Sequence, residues 1–380
     1  MRTPLFGLLL VIGPVAAQDA APDWTSSDGT VTVSVGGKLH ADARVVDGDA
    51  ASPFLVRRAR AGVEVEVAER FRATFEPGFG EGDAELLAGW VEADLAGGLR
   101  LRAGKFKSPF GLESLRSSTD LRFAERALAT ALSPRRDVGV MAHVEAPRLE
   151  AALGLFNGVP DGASEDREPS DAKDVVARVL ASPVEGVSVG LALATGAERG
   201  TSEVPALADY ETSADHAFLA FRPGVVADGA RQRVGPQATL ARGRLQADAE
   251  WTWARHRVRG PDGPADLEHE AWQVAASVVL SGTPRGRKRP LPSRPAPDGG
   301  IGAVEVSARV HGFAADPATA PLATAGSARR ALAWALAAHW TPIVPVRLGA
   351  TVERTTFDGF EGEADPRAET ALFVRAAFEL

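Results

Sequence analysis

Four arginines recur at every second position in two short stretches, Arg58 and Arg60 in FLVRRARAG, then Arg100 and Arg102 in LRLRAGK. Alternate residues of an extended chain share a face, so the members of each pair point the same way. A guanidinium is always charged and offers a planar fork of N–H donors to carboxylate or phosphate oxygens. Set along a water-filled wall, such groups bind passing anions; set opposite a carboxylate on the next strand, they are simply paired. Lys105 and Lys107 follow the second stretch and carry positive charge to the start of a long break in the pattern, as part of a binding region or as solvated strand-end charges.

Nothing in the chain supports catalysis to the same degree. HExxH and P-loop motifs do not occur. Gly186-Val187-Ser188-Val189-Gly190 matches GxSxG, but a nucleophile elbow needs a strand-to-helix turn, and Ser188 stands inside an alternating run. His256 and His269, on either side of an acidic turn, make a weak metal pair. No enzyme activity, metal or cofactor is expected. The net charge of −8 argues against nucleic acid as a partner.

The arginines lie in Phe54–Phe110, which reads as four strands joined by tight turns. Leu55, Ala59, Ala61, Val63 and Val65 oppose Arg58, Arg60, Gly62, Glu64 and Glu66. Leu99, Leu101 and Ala103 oppose Arg100, Arg102 and Gly104. The same alternation returns downstream, with Leu245, Ala247, Ala249, Trp251 and Trp253 against Gln246, Asp248, Glu250 and Thr252. It is present again over Thr370–Leu380. In all, about 16 strands appear, most near the ~9–11 residues that cross a bilayer, with short turns and long polar loops. The strands of a secreted sandwich are shorter, roughly five or six residues. The fold class expected is therefore all-β: a 16-stranded antiparallel transmembrane β-barrel, apolar outside and polar within.

Strand parity adds Arg178, Arg309, Arg347 and Arg375 to the inner wall, with Glu92, Asp94, Glu150, Asp248, Glu250, Glu305 and Glu353. Charges of both signs are nearly balanced there, which predicts internal ion pairing. Arg57 takes the lipid-facing parity and suits a subunit contact or an outer-leaflet phosphate of lipid or lipopolysaccharide. A single tyrosine is a thin supply for interfacial girdles, offset by seven tryptophans and sixteen phenylalanines.

Met1–Ala17 has the charged start, apolar run and small residues of a secretory signal peptide, giving an exported chain. Residues 18–29 read as a flexible N-terminal segment and 30–380 as the barrel. Within the barrel, 108–134 is a candidate constriction loop. There Asp120 is placed to cap a helix over LRFAERALATAL, ended by Pro134. Pattern alone leaves this loop as a surface lid or as a segment folded into a pore. Thr283–Gly300 is Pro-rich and basic, with Arg285, Arg287, Lys288, Arg289 and Arg294. It reads as a solvated loop or as a device steering anions to the mouth. There is no cysteine, so no disulfide braces the fold.

FLVRRARAG, RLRAGKFKSPFGLESLRSSTDLRFAERAL, RRDVGV and LGLFNGV together resemble the phosphate-selective porin O and P family. QRVGPQATLARGRLQADAEW, VVLSG, GAVEVSARV, ALAAHW and LFVRAAF follow in the family's order. The resemblance implies an outer-membrane homotrimer of 16-stranded barrels giving passive diffusion to small anions such as phosphate or polyphosphate. It implies a loop after the fifth strand that narrows each pore. It places the family's paired arginines on Arg57 and Arg58 and its loop serines on Ser117 and Ser118, which would bind the anion beside Arg60, Arg100, Arg102 and Lys105. At three positions the chain departs from the phosphate-binding pattern: Ser114 stands for a loop lysine, Ala88 for an acidic residue and Arg60 for an aromatic.

Overall fold

A computed structural model describes residues 23–47, 53–164, 171–285, 291–296, 300–360 and 364–380. The expected signal peptide, Met1–Ala17, lies outside them, as do Arg287, Lys288 and Arg289. Among the described residues sixteen antiparallel strands form one closed sheet. The first eight are β1 (Val31–Val46), β2 (Phe54–Val67), β3 (Phe71–Gly80), β4 (Asp83–Asp94), β5 (Leu99–Lys107), β6 (Arg136–Ala146), β7 (Leu149–Phe156) and β8 (Asp174–Val184). The others are β9 (Val187–Arg199), β10 (Val226–Arg242), β11 (Leu245–Gly260), β12 (Gly263–Ser281), β13 (Ala303–Ala314), β14 (Arg330–Ile343), β15 (Val346–Asp358) and β16 (Ala364–Glu379). Each pairs with its neighbours in chain order. The barrel closes where β1, already paired to β2, also pairs with β16 from Lys38 opposite Glu379 to Val46 opposite Ala371. Closure leaves no unpaired edge, which a sheet in hydrocarbon requires.

The period-two pattern sets the two faces. Leu99, Leu101, Val140, Leu153, Leu191 and Leu336 are exposed on the outside, with no second protein layer against them. Their strand neighbours Glu92, Thr239, Gln246, Asp248, Arg309 and Glu353 are buried inside. Outward aromatics collect toward the two ends. Trp24, Phe71, Trp340 and Phe378 lie toward the end with most of the short turns, and Phe54 and Phe79 toward the long-loop end. Tryptophan and phenylalanine thus stand where tyrosine is scarce.

Three expectations are corrected. Residues 23–29 are not loose: Asp23–Thr25 pairs with Thr32–Ser34 across a hydrogen-bonded turn. The basic connection between β12 and β13, read as a solvated loop or a steering device, leaves those strands at the short-turn end. Its first arm is held inside the mouth by Gln246 Nε2 donating to Arg285 O (3.0 Å), its second by Ser293 N donating to Glu305 Oε2 (3.1 Å). Finally, strict alternation fails in β2. His40 pairs with Arg58, but Ala41 pairs with Val56, so Arg57 is the extra residue of a β-bulge. A bulge lets two successive residues point to one side. Arg57 therefore joins Arg58 on the inner face, whereas Phe54 and Val56 are the exposed residues before it and Leu55 is not.

The long-loop end of the barrel is filled. Leu128, Leu132, Phe218 and Leu219 from the loops pack on Phe313 and Phe357 from the inner wall as one apolar core. Tyr210 joins it, its ring 4.6 Å from that of Phe313 and its hydroxyl donating to Asp161 Oδ2 (3.0 Å).

Candidate functional site

Residues 108–134 are buried almost throughout. Backbone groups removed from water need partners, and the polar inner wall supplies them. Leu112 N donates to Glu250 Oε2 on β11 (2.6 Å) and Leu128 N to His311 Nδ1 on β13 (3.1 Å). Ala124 N donates to Thr351 Oγ1 on β15 (3.1 Å), and Thr119 Oγ1 to Glu379 Oε1 on β16 (2.8 Å). Arg116 and Arg122 share Asp248 on β11, the first at 3.2 Å. These contacts displace the helix expected over 121–132. Only Leu112–Leu115 is α-helical, with short 3-10 turns at Ser118–Asp120 and Leu128–Leu132. Local helix propensity is worth tenths of a kilocalorie per residue and yields to several buried charge-assisted bonds.

The loop is anchored at Glu125. Arg57 grips its carboxylate at 2.9 and 3.2 Å, Arg58 Nη2 donates at 2.9 Å, and Arg375 Nη2 at 2.9 Å. Arg309 holds the neighbouring backbone through Glu125 O (3.1 Å) and lies 4.3 Å over the Phe123 ring. Burial alone disfavours the charged carboxylate. The charges of Arg58, Arg57 and Arg375 outweigh that and hold its pKa well below the usual carboxylate range. Glu125 escaped the reading of the sequence, although a signal was present: with Asp120 it is one of two acids among Arg116, Arg122, Arg126, Arg135 and Arg136.

The residues singled out from the sequence divide into groups. Arg57 and Arg58 meet at Glu125. Arg60 (3.7 Å) and Lys38 (3.8 Å) face Glu76, and Lys38 Nζ donates to Ser117 Oγ (3.2 Å). Ser118 is buried with its hydroxyl unpartnered. Arg100 and Arg102 lie nearer the short-turn end, paired to Asp94 (2.8 Å) and Glu92 (2.6 Å), and Lys105 is buried further along β5. The six arginine and lysine positions therefore occupy two levels of the wall rather than one ring. Ser188 lies in β9, its hydroxyl 2.8 Å from that of Ser182, and makes no elbow. The His256 and His269 rings stand 4.9 Å apart beside Asp161; among the described residues no cluster of His, Asp and Glu has the arrangement of a metal site.

Between the loop and the wall formed by β3–β10 lies a cavity of about 520 Å³. Arg102, Lys107, Arg136 and Arg178 reach its surface, against the acids Glu76, Glu145 and Glu150. Lys107 Nζ bonds only a carbonyl there, that of Arg116, and Arg136 Nε is buried without a hydrogen-bond partner. Arg126 closes the same region from the loop, donating to the carbonyls of Glu113 and Arg116. Burial, then the charges of Arg135 and Arg58, lower its pKa to about 9. Arg136 was also missed in the sequence, where it stands beyond Pro134 with no alternating partner to mark its face.

A closed barrel of sixteen strands, with an apolar exterior and a charged interior, defines a porin-type channel of the outer membrane. The chain belongs to the phosphate-selective porin O and P family, whose sequence profile matches residues 33–352. Solved structures share the fold at low identity. The outer-membrane channel DcaP of Acinetobacter baumannii has a TM-score of 0.64 at 12% identity, over 95% of this chain and 100% of that one. OmpT of Vibrio cholerae, in its trimer form, has 0.58 at 12%, over 92% and 100%. An anion-selective porin from Comamonas acidovorans has 0.55 at 13%, over 92% and 100%. No curated protein matches the sequence.

Proposed function

We propose that this porin gives passive passage to small anions, phosphate or polyphosphate among them, through the water-filled space beside the 108–134 loop, which acts as its constriction. The observation that carries the reading is the pair Lys107 and Arg136. Both reach the cavity, one satisfied only by a carbonyl and the other with a buried, unpartnered N–H. Lys38 and Arg60 stand close by with Glu76 between them, so the region keeps a positive excess. Unpaired charge of one sign at a narrowing favours the opposite ion. Ser117 supports the reading through Lys38, whose Nζ donates to its hydroxyl, while Ser118 is buried and does not line the cavity. Arg57 and Arg58 serve this reading indirectly, as anchors of the loop, and Arg100, Arg102 and Lys105 line the approach.

Reversal potentials across a planar bilayer in a salt gradient test the proposal. The expected result is anion preference, reduced on the order of 2- to 10-fold by Arg136→Gln, as expected for removing one charge a few ångströms from the ion at intermediate dielectric. Cation preference in the parent protein defeats the reading. The apolar core at the long-loop end favours a second one, a weakly selective or non-conducting structural barrel; absence of conductance would establish it.

The trimer form of the similar Vibrio protein supports a homotrimer here, seated in lipid and lipopolysaccharide by the apolar exterior. An unheated sample should run on a detergent gel as a band near three times the 39.7 kDa chain, collapsing to one chain on boiling. A monomer band in both lanes rejects the trimer. Export on a cleaved Met1–Ala17 signal belongs to the same reading, its mark being a mature chain that begins at Gln18.

A further inference from the structure

The cavity beside the loop is not lined as a path for hydrated inorganic ions alone. On a wall facing water, inward positions should be polar. Here Trp90, Phe106, Met141 and Leu180 take inward positions on four strands, and Leu112 and Leu115 of the loop face them across the cavity. Met141 is the one methionine besides Met1. It packs with Phe106 and Phe156, whose rings meet edge to face at 5.4 Å, so this apolar floor is built and rigid. The Arg102 guanidinium lies 4.0 Å over the Trp90 ring, and Arg136 and Lys107 border the same space.

We propose that the preferred solutes are organic anions, a carboxylate carried on a compact aromatic or aliphatic body. The proposal rests on the anion-channel reading and names its substrate class. Pockets of roughly 300–1,000 Å³ lined largely by apolar side chains, with a few placed polar or charged groups, are the usual form of small-molecule sites. Phosphate gains nothing from Trp90 or Met141, because its oxygens would shed water against carbon without recovering hydrogen bonds. A benzoate-sized ion meets both halves. Its carboxylate reaches Arg136 and Lys107, and its ring leaves water for the Met141 and Phe106 floor, where thioether and aromatic contacts are favourable.

The test uses the full mature chain in planar bilayers in potassium chloride, with sodium benzoate or sodium phosphate added to one side. Benzoate should reduce the chloride current at about one tenth the concentration that phosphate requires, and Met141→Gln should bring that ratio to within about threefold of unity. Arg136→Gln should weaken block by both ions. Equal or tighter block by phosphate in the parent protein overturns the proposal, as does a ratio that Met141→Gln leaves unchanged. Should that variant not assemble, acetate, butyrate and hexanoate in the parent decide: block must strengthen with each added length, and a flat series overturns it. Loss of the underlying anion-channel reading looks different, as a cation-selective or absent chloride conductance before any blocker is added.

Discussion

Glu125→Gln should loosen the 108–134 loop and raise anion conductance together. The carboxylate takes charge-assisted bonds from Arg57, Arg58 and Arg375. Neutralising it leaves three arginines without their common counter-ion inside the barrel. Removing one partner from a buried ion pair costs about 3–5 kcal/mol, and here several pairs share one acceptor. Arg375 keeps Asp42 at 2.6 Å, so part of the wall network survives. The loop should therefore become mobile while the strands hold. Single-channel records should show larger open-level noise, and reversal potentials should move further toward anions, because Arg58 becomes available to them while Arg57 keeps Glu81 at 2.6 Å. Unaltered noise and selectivity would mean that Glu125 does not restrain the loop. The pH dependence follows from the same group. Its folded pKa is depressed below the unfolded value, so its stabilisation is complete above the ordinary carboxylate range and is lost only as pH falls through the depressed value. Open-level noise should stay flat from neutral pH down to the ordinary carboxylate range near pH 4–5 and rise below it; in Glu125→Gln it should be high at every pH.

Phe313→Ala is the second large effect. Phe313 is 2% exposed and lies at the centre of the core that fills the long-loop end, its ring 4.6 Å from Tyr210 and 5.4 Å from Phe218. Deleting a buried phenylalanine side chain costs about 3–5 kcal/mol, transfer and cavity contributions together. The strands share a continuous hydrogen-bonded wall, so the loss falls on the loops docked against it rather than on the barrel. The 210–219 and 315–328 segments should loosen first, since both pack into this core, while Asp215 with Arg44, His216 with Glu369 and Asp316 with the Glu268 N–H keep part of their hold on the strands. Expected results are a higher open-level conductance and faster entry of neutral sugars in liposome swelling. A variant with parent values in both measurements would mean that the core plays no part in limiting the pore. Such an outcome would leave the 108–134 loop as the sole restriction.

Barrel architecture was legible in the residues themselves because the period is two and the solvents differ on the two faces. Leu99 and Leu101 against Arg100 and Arg102 can satisfy lipid and water only one way round, and sixteen repetitions of that choice specify a closed wall. The balanced inner charge also foretold pairing, as in Arg309 with Glu353 (2.8 Å) and Arg375 with Asp42. Alternation carries no information where it is interrupted. The bulge that turns Arg57 inward is a matter of register between β1 and β2, not of any local residue pattern. The unwound course of residues 121–127 reflects partners on β11, β12, β15 and β16, brought near only when the barrel closes. Sequence thus determined which side of a strand meets water wherever alternation is unbroken. Tertiary structure alone decided which of those wet groups are spent on one another around Glu125 and which, Lys107 and Arg136, are left facing the cavity, because that depends on distances across the lumen between segments far apart in the chain.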